Sequence, residues 1–522
     1  MSIKTVDIAL DPGRHTDPEA ILEAAKNRAG VGLSTDYKAT VLKRSVDARG
    51  RKPLYRLRVR LEKPGIESES VPVYKNLFKR VDKRPSALIV GAGPAGYFAA
   101  LEMIMEGFKP IVLDRGKDVR SRRRDLRNVQ QLGVVNPHSN YCFGEGGAGT
   151  YSDGKLYTRA KKRGDYDKVI RLLVEHGAPE DILIDSHPHI GSNKLPGIVQ
   201  AIRESIVEQG GEVLFNHYVT DFIIEGKKIK GVITDSGENF YSDAVILATG
   251  HSARDIYQLL HRRELKIEAK AFALGVRIEH PQSLIDQIQY NSANRGEYLP
   301  ASNYGVSCQV DNKGVFSFCM CPGGLVVPAS TAPGEIVVNG MSLSKRDSPY
   351  ANAGTVVSVQ PEEFTHYALD PFVCMDFQAA VERSVFKAGD GSQAAPAQRL
   401  TDFCEGLNSE DLPDSSYIPG LLPRRVDQIL PLHIVRALQQ AVKEFDKKLK
   451  GYYTREAVVI ATESRTSSPV KIPRDEKTLM HPQMMGLFPC GEGAGYAGGI
   501  VSAAMDGQKV ARAVVQHLVS VK

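Results

Sequence analysis

Three glycine-rich stretches of the chain have residue types and spacings that suit nucleotide chemistry. The first is the G-x-G-x-x-G turn Gly91–Gly96, which follows the apolar run Leu88–Val90 and leads into helix-like sequence. A second apolar run, Pro110–Leu113, then ends on Asp114, 23 residues after Gly91. The glycines permit a tight turn, close approach of a pyrophosphate and close helix packing, and the acid suits ribose hydroxyls. The pattern predicts an adenine dinucleotide with its pyrophosphate at the helix N-terminus.

The other two stretches suit the remaining half of a flavin dinucleotide. The run Phe143–Leu156 has glycines and small hydroxyls that suit backbone wrapped around a phosphate and a ring edge. Near the C-terminus, Glu492 can hydrogen-bond a ribityl chain, and the helix expected after Gly499 can face the flavin edge that gathers negative charge on reduction. A helix N-terminus favours such an anion by up to ~2 kcal/mol. An NAD site does not need these surfaces, so the pattern favours FAD.

The three stretches must be held together by a fold, and changes in the pattern of predicted helices, strands and turns divide the chain into four segments. We expect an α/β protein: a Rossmann-like FAD-binding domain (85–261 and 455–522), an inserted α+β substrate domain (262–454) and a small basic α+β N-terminal domain (1–84). In the N-terminal domain, the capping-box pattern Thr16–Glu19 predicts the start of a helix. The runs Ala39–Val46 and Leu54–Leu61 predict the two arms of a hairpin. The motifs thus lie on both sides of the insertion.

Charge is unevenly distributed along the chain. The net charge is +6, yet residues 1–84 hold 19 Lys and Arg against 11 Asp and Glu, a balance of +8. Arg56, Arg58 and Arg60 alternate with apolar residues and share one face of a strand. A solvated sheet face is favoured over a nucleic-acid surface because no stacking aromatic pattern accompanies them. The arginine-rich run Arg115–Arg127 likewise indicates a solvated helix, or less readily an anion site for a phosphorylated substrate or nicotinamide phosphate.

Composition sets the broad class. Hydrophobic residues make up 42% and charged residues 25% of the 522, as in globular proteins. The chain has no apolar run near the ~20 residues of a membrane span and no signal-peptide pattern, which predicts a soluble cytoplasmic protein. Seven cysteines without a C-x-x-C pair predict free thiols and no structural zinc, and His187-Pro188-His189 is assigned to a loop without metal.

Taken together, the stretches Gly91–Gly96, Gly144–Leu156, Ala248–Gly250 and Cys490–Gly499 resemble the two-domain FAD oxidoreductases related to succinate dehydrogenase and hydroxybenzoate hydroxylase. More closely, the chain resembles the bacterial NAD/FAD-utilising dehydrogenases, and its basic N-terminal domain resembles theirs. Many of those proteins have Glu where Asp114 stands, so the ribose contact has a shorter reach here.

The resemblance implies FAD as cofactor, with Val219 offering backbone to the adenine. The cofactor site expected on these grounds comprises Gly91, Gly93, Pro94, Ala95, Gly96, Asp114, Arg115, Gly146, Gly147, Ala148, Gly149, Thr150, Ser152, Asp153, Gly154, Lys155, Leu156, Val219, Ala248, Thr249, Gly250, Gly491, Glu492, Gly498, Gly499 and Ile500.

The catalytic residues stay unidentified, with several candidates. Arg465 is expected near the flavin as a clamp for a substrate carboxylate. Arg277 and His280 alternate off the apolar face of a strand and could bind an anionic substrate or move a proton, although an ordinary salt bridge with Glu279 or a neighbour is the commoner role. Cys319 and Cys321 form a C-x-C pair before a glycine turn and are candidate redox thiols. Buried cysteines are more often inert than redox-active.

The functional hypothesis is hydride transfer between flavin and a small organic substrate. NAD(P)H is a transient donor at most, because the chain has no second dinucleotide fold. Two alternatives stay open: an RNA-associated flavoprotein whose basic N-terminal domain docks nucleic acid, and a structural or sensing FAD protein. Sequence does not identify the substrate, the electron acceptor or the oligomeric state.

Overall fold

The computed structural model describes residues 3–32, 36–65, 71–158, 161–292 and 294–520. The strands, in chain order, are β1 (Ile3–Leu10), β2 (Lys38–Asp47), β3 (Leu54–Glu62), β4 (Ser86–Val90), β5 (Lys109–Asp114), β6 (Glu212–Phe215), β7 (Val219–Glu225), β8 (Lys228–Thr234), β9 (Asn239–Tyr241), β10 (Val245–Leu247), β11 (Glu268–Ala269), β12 (Phe272–Pro281), β13 (Ser307–Val310), β14 (Lys313–Cys321), β15 (Gly324–Pro328), β16 (Val338–Ser342), β17 (Tyr350–Val359), β18 (Ala395–Arg399), β19 (Leu421–Pro423), β20 (Val458–Glu463), β21 (Val470–Lys471) and β22 (Leu487–Pro489). The helices are α1 (Pro18–Ala29), α2 (Pro94–Glu106), α3 (Val119–Leu132), α4 (Tyr166–Glu175), α5 (Leu195–Glu208), α6 (Arg254–Arg262), α7 (Gln282–Tyr290), α8 (Val373–Ala388), α9 (Leu400–Glu405), α10 (Val426–Ile429), α11 (Leu432–Lys448) and α12 (Ile500–Ser520).

A five-stranded parallel sheet, in the order β22-β10-β4-β5-β6, forms the nucleotide-binding framework. Its central strands are apolar and buried on both faces, as parallel strands between helices require. Helices α2, α5 and α12 cover one face, and the antiparallel β7-β8-β9 sheet and α6 pack on the other. The final helix expected after Gly499 forms as predicted.

The inserted region is built on a seven-stranded sheet in the order β13-β14-β17-β12-β20-β18-β19. Strand β12 pairs antiparallel with β17 on one side and β20 on the other, and α8 and α11 contribute to its core. The chain crosses back to the nucleotide-binding sheet later than the boundary expected at 455. Strand β20, whose six residues are all buried, belongs to the inserted sheet because it completes the pairing of β12 and β18.

The N-terminal unit is a three-stranded antiparallel sheet, β1-β3-β2, with α1 against it. Helix α1 begins one residue later than the expected capping box: Asp17 is the N-cap and accepts from the Glu19 amide at 3.0 Å. The three alternating arginines of β3 lie against acids, Arg56 with Asp47, Arg58 with Asp7 and Arg60 with Glu62. This pairing fits the solvated sheet face.

Two further observations concern membranes and metals. Across the described ranges, no helix combines the length and apolar character that a bilayer crossing needs. Within the same ranges, no group of three or more His, Cys, Asp or Glu side chains is placed to hold a metal ion.

Candidate functional site

A cavity of ≈ 380 Å³ lies at the carboxyl ends of the parallel strands β4, β5 and β10. This is the edge at which open α/β sheets bind ligands, and the volume is that of a small-molecule site. Most of the residues expected to hold FAD line it: Gly91, Gly93, Pro94, Ala95, Asp114, Arg115, Gly147, Ala148, Gly149, Ser152, Asp153, Gly154, Lys155, Val219, Ala248, Thr249, Gly250, Glu492, Gly498, Gly499 and Ile500. Three stretches of sequence that are far apart in the chain thus share one cavity.

Five expected residues lie behind the cavity wall instead. Gly96 has no room for a side chain, because a Cβ there would collide with the Gly91 carbonyl. Gly146, Thr150 and Gly491 are covered by neighbouring loop or helix atoms, and Leu156 is in the hydrophobic core.

The first glycine turn is locked at the start of α2. Gly91 has a φ of 110°, and a Cβ there would meet the Ala248 carbonyl, so only glycine fits between the two turns. Gly93 is the N-cap of α2 and Pro94 its first residue, which leaves the free amides of the first helical turn facing the cavity end. The carboxylate of Asp114 accepts from the Ala92 amide and the Gly116 amide, both at 2.8 Å. It therefore braces the turn as well as lining the cavity.

The second glycine-rich stretch, Phe143–Leu156, is called the second glycine loop below. It is held by an arginine that was predicted to lie in a solvated helix. Arg122, in α3, is fully buried and donates to the carbonyls of Asn140, Tyr141, Glu145 and Gly147 at 2.7–3.0 Å. Burial lowers the pKa of its guanidinium. The signal available in the sequence was the position itself, since Arg122 alone of its arginine run shares the helical face of Val119, Leu126 and Val129.

Aromatic residues close the cavity at the Asp114 end. The Arg115 guanidinium lies 4.4 Å from the Phe143 ring centroid and 4.2 Å from that of Tyr218, and it pairs with Asp255 at 2.7 Å. Both ring residues line the cavity. No motif marks Tyr218 or Asp255 as cavity residues: Tyr218 immediately precedes β7, and Asp255 lies in α6.

The third stretch carries a titratable carboxyl into the cavity. The amide of Gly491 donates to Asp506 of α12 at 2.8 Å, and Asp506 pairs with Arg474, which fixes the turn between β22 and α12. Burial raises the pKa of the neighbouring Glu492 from 4.5 to about 7, with Lys270 opposing the shift. At the start of α12, a Cβ on Gly498 would meet no atom within 4 Å.

Residues of the inserted region and of the segment after β20 form the remaining wall of the cavity, here called the facing wall. Phe318 and Cys319 of β14, Asn339 of β16 and Thr466 line the cavity opposite the glycine stretches. Lys155 reaches this wall, with Nζ 3.8 Å from Cys319 Sγ. Thr249 also lines the cavity, and its buried Oγ1 has no hydrogen-bond partner among the described residues.

The remaining catalytic candidates are occupied elsewhere. Arg465 lines the cavity, but its Nε lies 2.7 Å from Glu382 and its Nη2 3.2 Å from Glu335, which leaves Nη1 alone without a described partner. A two-pronged carboxylate clamp at Arg465 therefore has no free fork.

Two other candidates lie away from the cavity lining. Arg277 is buried and pairs with Glu463 of the neighbouring strand β20 at 2.8 Å, the ordinary salt bridge with Glu279 or a neighbour that was the commoner expectation. His280 is buried, and its Nε2 lies 2.9 Å from the Tyr452 carbonyl. Burial lowers the pKa of this imidazole to about 4.

The residues present fit a dinucleotide with a polar middle. Free amides at the N-terminus of α2 suit a pyrophosphate, and the glycine surfaces leave room for close backbone approach. The unpartnered Thr249 hydroxyl and the Glu492 carboxyl are among the hydrogen-bonding groups of the cavity lining.

Three family models match the chain. Residues 271–466 match the family model described as "FAD-dependent protein, C-terminal domain-like". Residues 196–313 match the family model described as "FAD dependent oxidoreductase". Residues 2–62 match a domain of unknown function.

Similar proteins and structures were also found. An uncharacterized protein of Clostridium beijerinckii (strain ATCC 51743 / NCIMB 8052) is 42% identical over 454 residues, which are 86% of this chain and 84% of that protein. Glycine oxidase from Bacillus cereus ATCC 14579 is 11% identical with a TM-score of 0.35, over 83% of this chain and 98% of that one. The glycerol-3-phosphate dehydrogenase from Bacillus halodurans, complexed with FAD, is 11% identical with a TM-score of 0.35, over 84% and 66%.

The cavity, the family models and the extensive identity to the clostridial protein agree: the chain belongs to the same family as that protein, within the FAD-dependent oxidoreductases, and is a flavoprotein whose cofactor is FAD.

Proposed function

We propose that the protein transfers hydride between FAD and a small organic substrate bound between the cofactor and the inserted sheet. One observation carries this proposal. The cavity has glycine turns and helix N-termini on one wall and side chains of the inserted region on the other, so a cofactor and a second molecule can meet there. The narrower relationship to succinate dehydrogenase, hydroxybenzoate hydroxylase and the NAD/FAD-utilising dehydrogenases belongs to the same proposal.

We assign the cofactor's parts to named residues. Gly93, Pro94 and Ala95 at the start of α2 would hold the pyrophosphate, and Asp114 the ribose. The Arg115–Tyr218 stack with Val219 would enclose the adenine end. Glu492 and the first residues of α12, Gly498–Ile500, would lie at the flavin end, where bound FAD supplies the group that accepts or donates the hydride.

The electrostatics of the flavin end support reduction of the cofactor. The N-terminus of α12 favours negative charge, and it opens onto the cavity at Gly499 and Ile500. Lys155 adds a cation to the lining of the same cavity. These groups stabilise an anionic cofactor relative to a neutral one.

The substrate is proposed to be small, because the cavity must accommodate it beside the cofactor. The facing wall offers the Asn339 amide, the Thr466 hydroxyl and the Phe318 ring. The positive charge of Arg465 is largely offset by Glu335 and Glu382. We therefore favour a polar substrate over one that carries several negative charges.

Rapid mixing of the FAD-loaded protein with NADH, with NADPH and with a panel of small alcohols, amines and acids tests this proposal. A catalyst of hydride transfer loses flavin absorbance at about 450 nm with at least one donor, at a rate that saturates with donor concentration. FAD that dithionite reduces but no organic donor in the panel reduces would instead favour the structural or sensing role.

A further inference from the structure

Cys319 has an unusual backbone position on the facing wall of the cavity. It has a φ of 45°, in the left-handed region, and it interrupts the pairing of β14 with β17, where the register shifts between Phe318 and Cys321. Bulges of this kind redirect side chains and are found beside active sites, as are strained non-glycine residues. Here the bulge places Cys319 in the cavity lining.

A cation lies close to the Cys319 sulfur. Lys155 Nζ is 3.8 Å from Cys319 Sγ. The Cys321 thiol donates to the Cys319 carbonyl at 3.2 Å rather than to the Cys319 sulfur, so the pKa of the Cys319 thiol is lowered by the cations Lys155 and Arg277. Burial raises the pKa of the Cys321 thiol, which therefore stays protonated.

The charges that face this sulfur come from several elements. The cations are Lys155 on the second glycine loop and Arg277 on β12, and the acids are Asp153, Glu463 and Glu492. Asp153 pairs with Arg346 and, at 3.4 Å, with Lys155, whose Nζ also donates to the Met320 carbonyl. Burial raises the pKa of both Glu463 and Glu492. The net local charge therefore favours an anion at Cys319.

We propose that Cys319 is a nucleophilic thiolate, ion-paired with Lys155, at the substrate side of the cofactor cavity, and that the site takes a substrate with an electrophilic carbon. The inference rests on the proposed function only in placing the flavin opposite the sulfur. Cys321 is a positioning residue, since its thiol donates to the Cys319 carbonyl at 3.2 Å and is buried away from the cavity.

Alkylation with iodoacetamide tests the proposal, because it forms a sulfur–carbon bond with loss of iodide and requires the thiolate. The rate at Cys319 is followed by peptide mass spectrometry from pH 6 to 9, in FAD-saturated and in flavin-free protein. Cys308, half-buried with a pKa raised by burial, is the internal control. In at least one form we expect a rate at Cys319 that is nearly independent of pH, while the rate at Cys308 rises about tenfold per pH unit below its pKa.

Lys155 variants separate the ion pair from mere exposure. Lys155→Met should lower the rate at Cys319 at pH 6 by about tenfold or more, and Lys155→Arg should restore most of it. A steep pH dependence at Cys319 like that at Cys308, no alkylation in either form, or no effect of Lys155→Met would each overturn the proposal. The flavin-free arm is independent of hydride transfer, so the proposed function can fail while the thiolate stands.

Discussion

Single residues set the electrostatics of this cavity, and Glu492 shows how. Its carboxyl lines the cavity, and burial raises its pKa to about 7. The folded, flavin-free protein thus keeps a proton on Glu492 that the unfolded chain releases above its ordinary pKa of 4.5. Stability is therefore lost as pH rises from about 4.5 to about 7, by at most about 3 kcal/mol.

The first prediction follows from that sign. Glu492→Gln should make flavin-free protein more stable than wild type at pH 8, by up to about 3 kcal/mol, and leave it nearly unchanged at pH 5. Urea unfolding at both pH values measures the difference, with the exposed Glu476→Gln as control. Equal effects of Glu492→Gln at the two pH values would show that Glu492 titrates normally.

At the scale of elements, a buried side chain fixes the second glycine loop, and a close glycine contact fixes the packing of two helices. Arg122 ties α3 to the second glycine loop through backbone carbonyls. Helix α12 lies against α2 where Gly507 meets the Ala95 backbone, a position at which any Cβ would collide. Both devices fix the backbone that lines the cavity.

The second prediction concerns the loop. Arg122→Met leaves several buried carbonyls without donors and should cost about 3 kcal/mol or more of unfolding free energy, together with weaker FAD binding. The neighbouring Arg123 is exposed, so Arg123→Met should change stability by no more than about 0.5 kcal/mol. Thermal unfolding and FAD titration of both variants give the comparison; similar behaviour of the two would contradict the role of Arg122.

The third prediction concerns helix packing. Gly507→Ala should destabilise the protein by about 1–3 kcal/mol, because the methyl group must displace α12 from α2. In α5, Gly197 has open space around it, and Gly197→Ala should stabilise by up to about 1 kcal/mol through helix propensity. Chemical unfolding distinguishes the opposite signs, and a stabilised Gly507→Ala variant would refute the close contact.

Across the whole molecule, sequence patterns predict individual strands, turns and helices, but they do not predict which distant residues meet in the folded protein. The strand, turn and helix around Gly91 and the final helix follow from periodicity and glycine spacing, and both form. Tyr218 and Cys319 reach the cavity through chain reversals and a bulge, which leave no periodic trace in sequence. Arg122 was misjudged because its carbonyl partners lie 18–25 residues away on an irregular loop.

The two halves of the cavity are joined by a buried ion-pair cluster. Arg254 of α6 pairs with Glu335 and Glu382, and Arg465 pairs with the same two acids. Removing one member of a buried ion-pair cluster is costly, because it leaves a buried charge without a partner. Arg465 therefore lines the cavity, but its main contacts join the inserted region to the nucleotide-binding domain.

The most direct test of the account is FAD binding to the Gly93→Ala variant. In the flavin-free protein a Cβ at Gly93 would meet only the Gly147 Cα, at 3.9 Å, so the fold accommodates it while an approaching pyrophosphate does not. Titration with FAD should show one site per wild-type chain and affinity weakened at least about tenfold in Gly93→Ala, with an unchanged melting temperature of the flavin-free protein. Gly305→Ala, at an exposed glycine outside the cavity lining, should bind like wild type. Undiminished affinity in Gly93→Ala would contradict the placement of FAD at the start of α2.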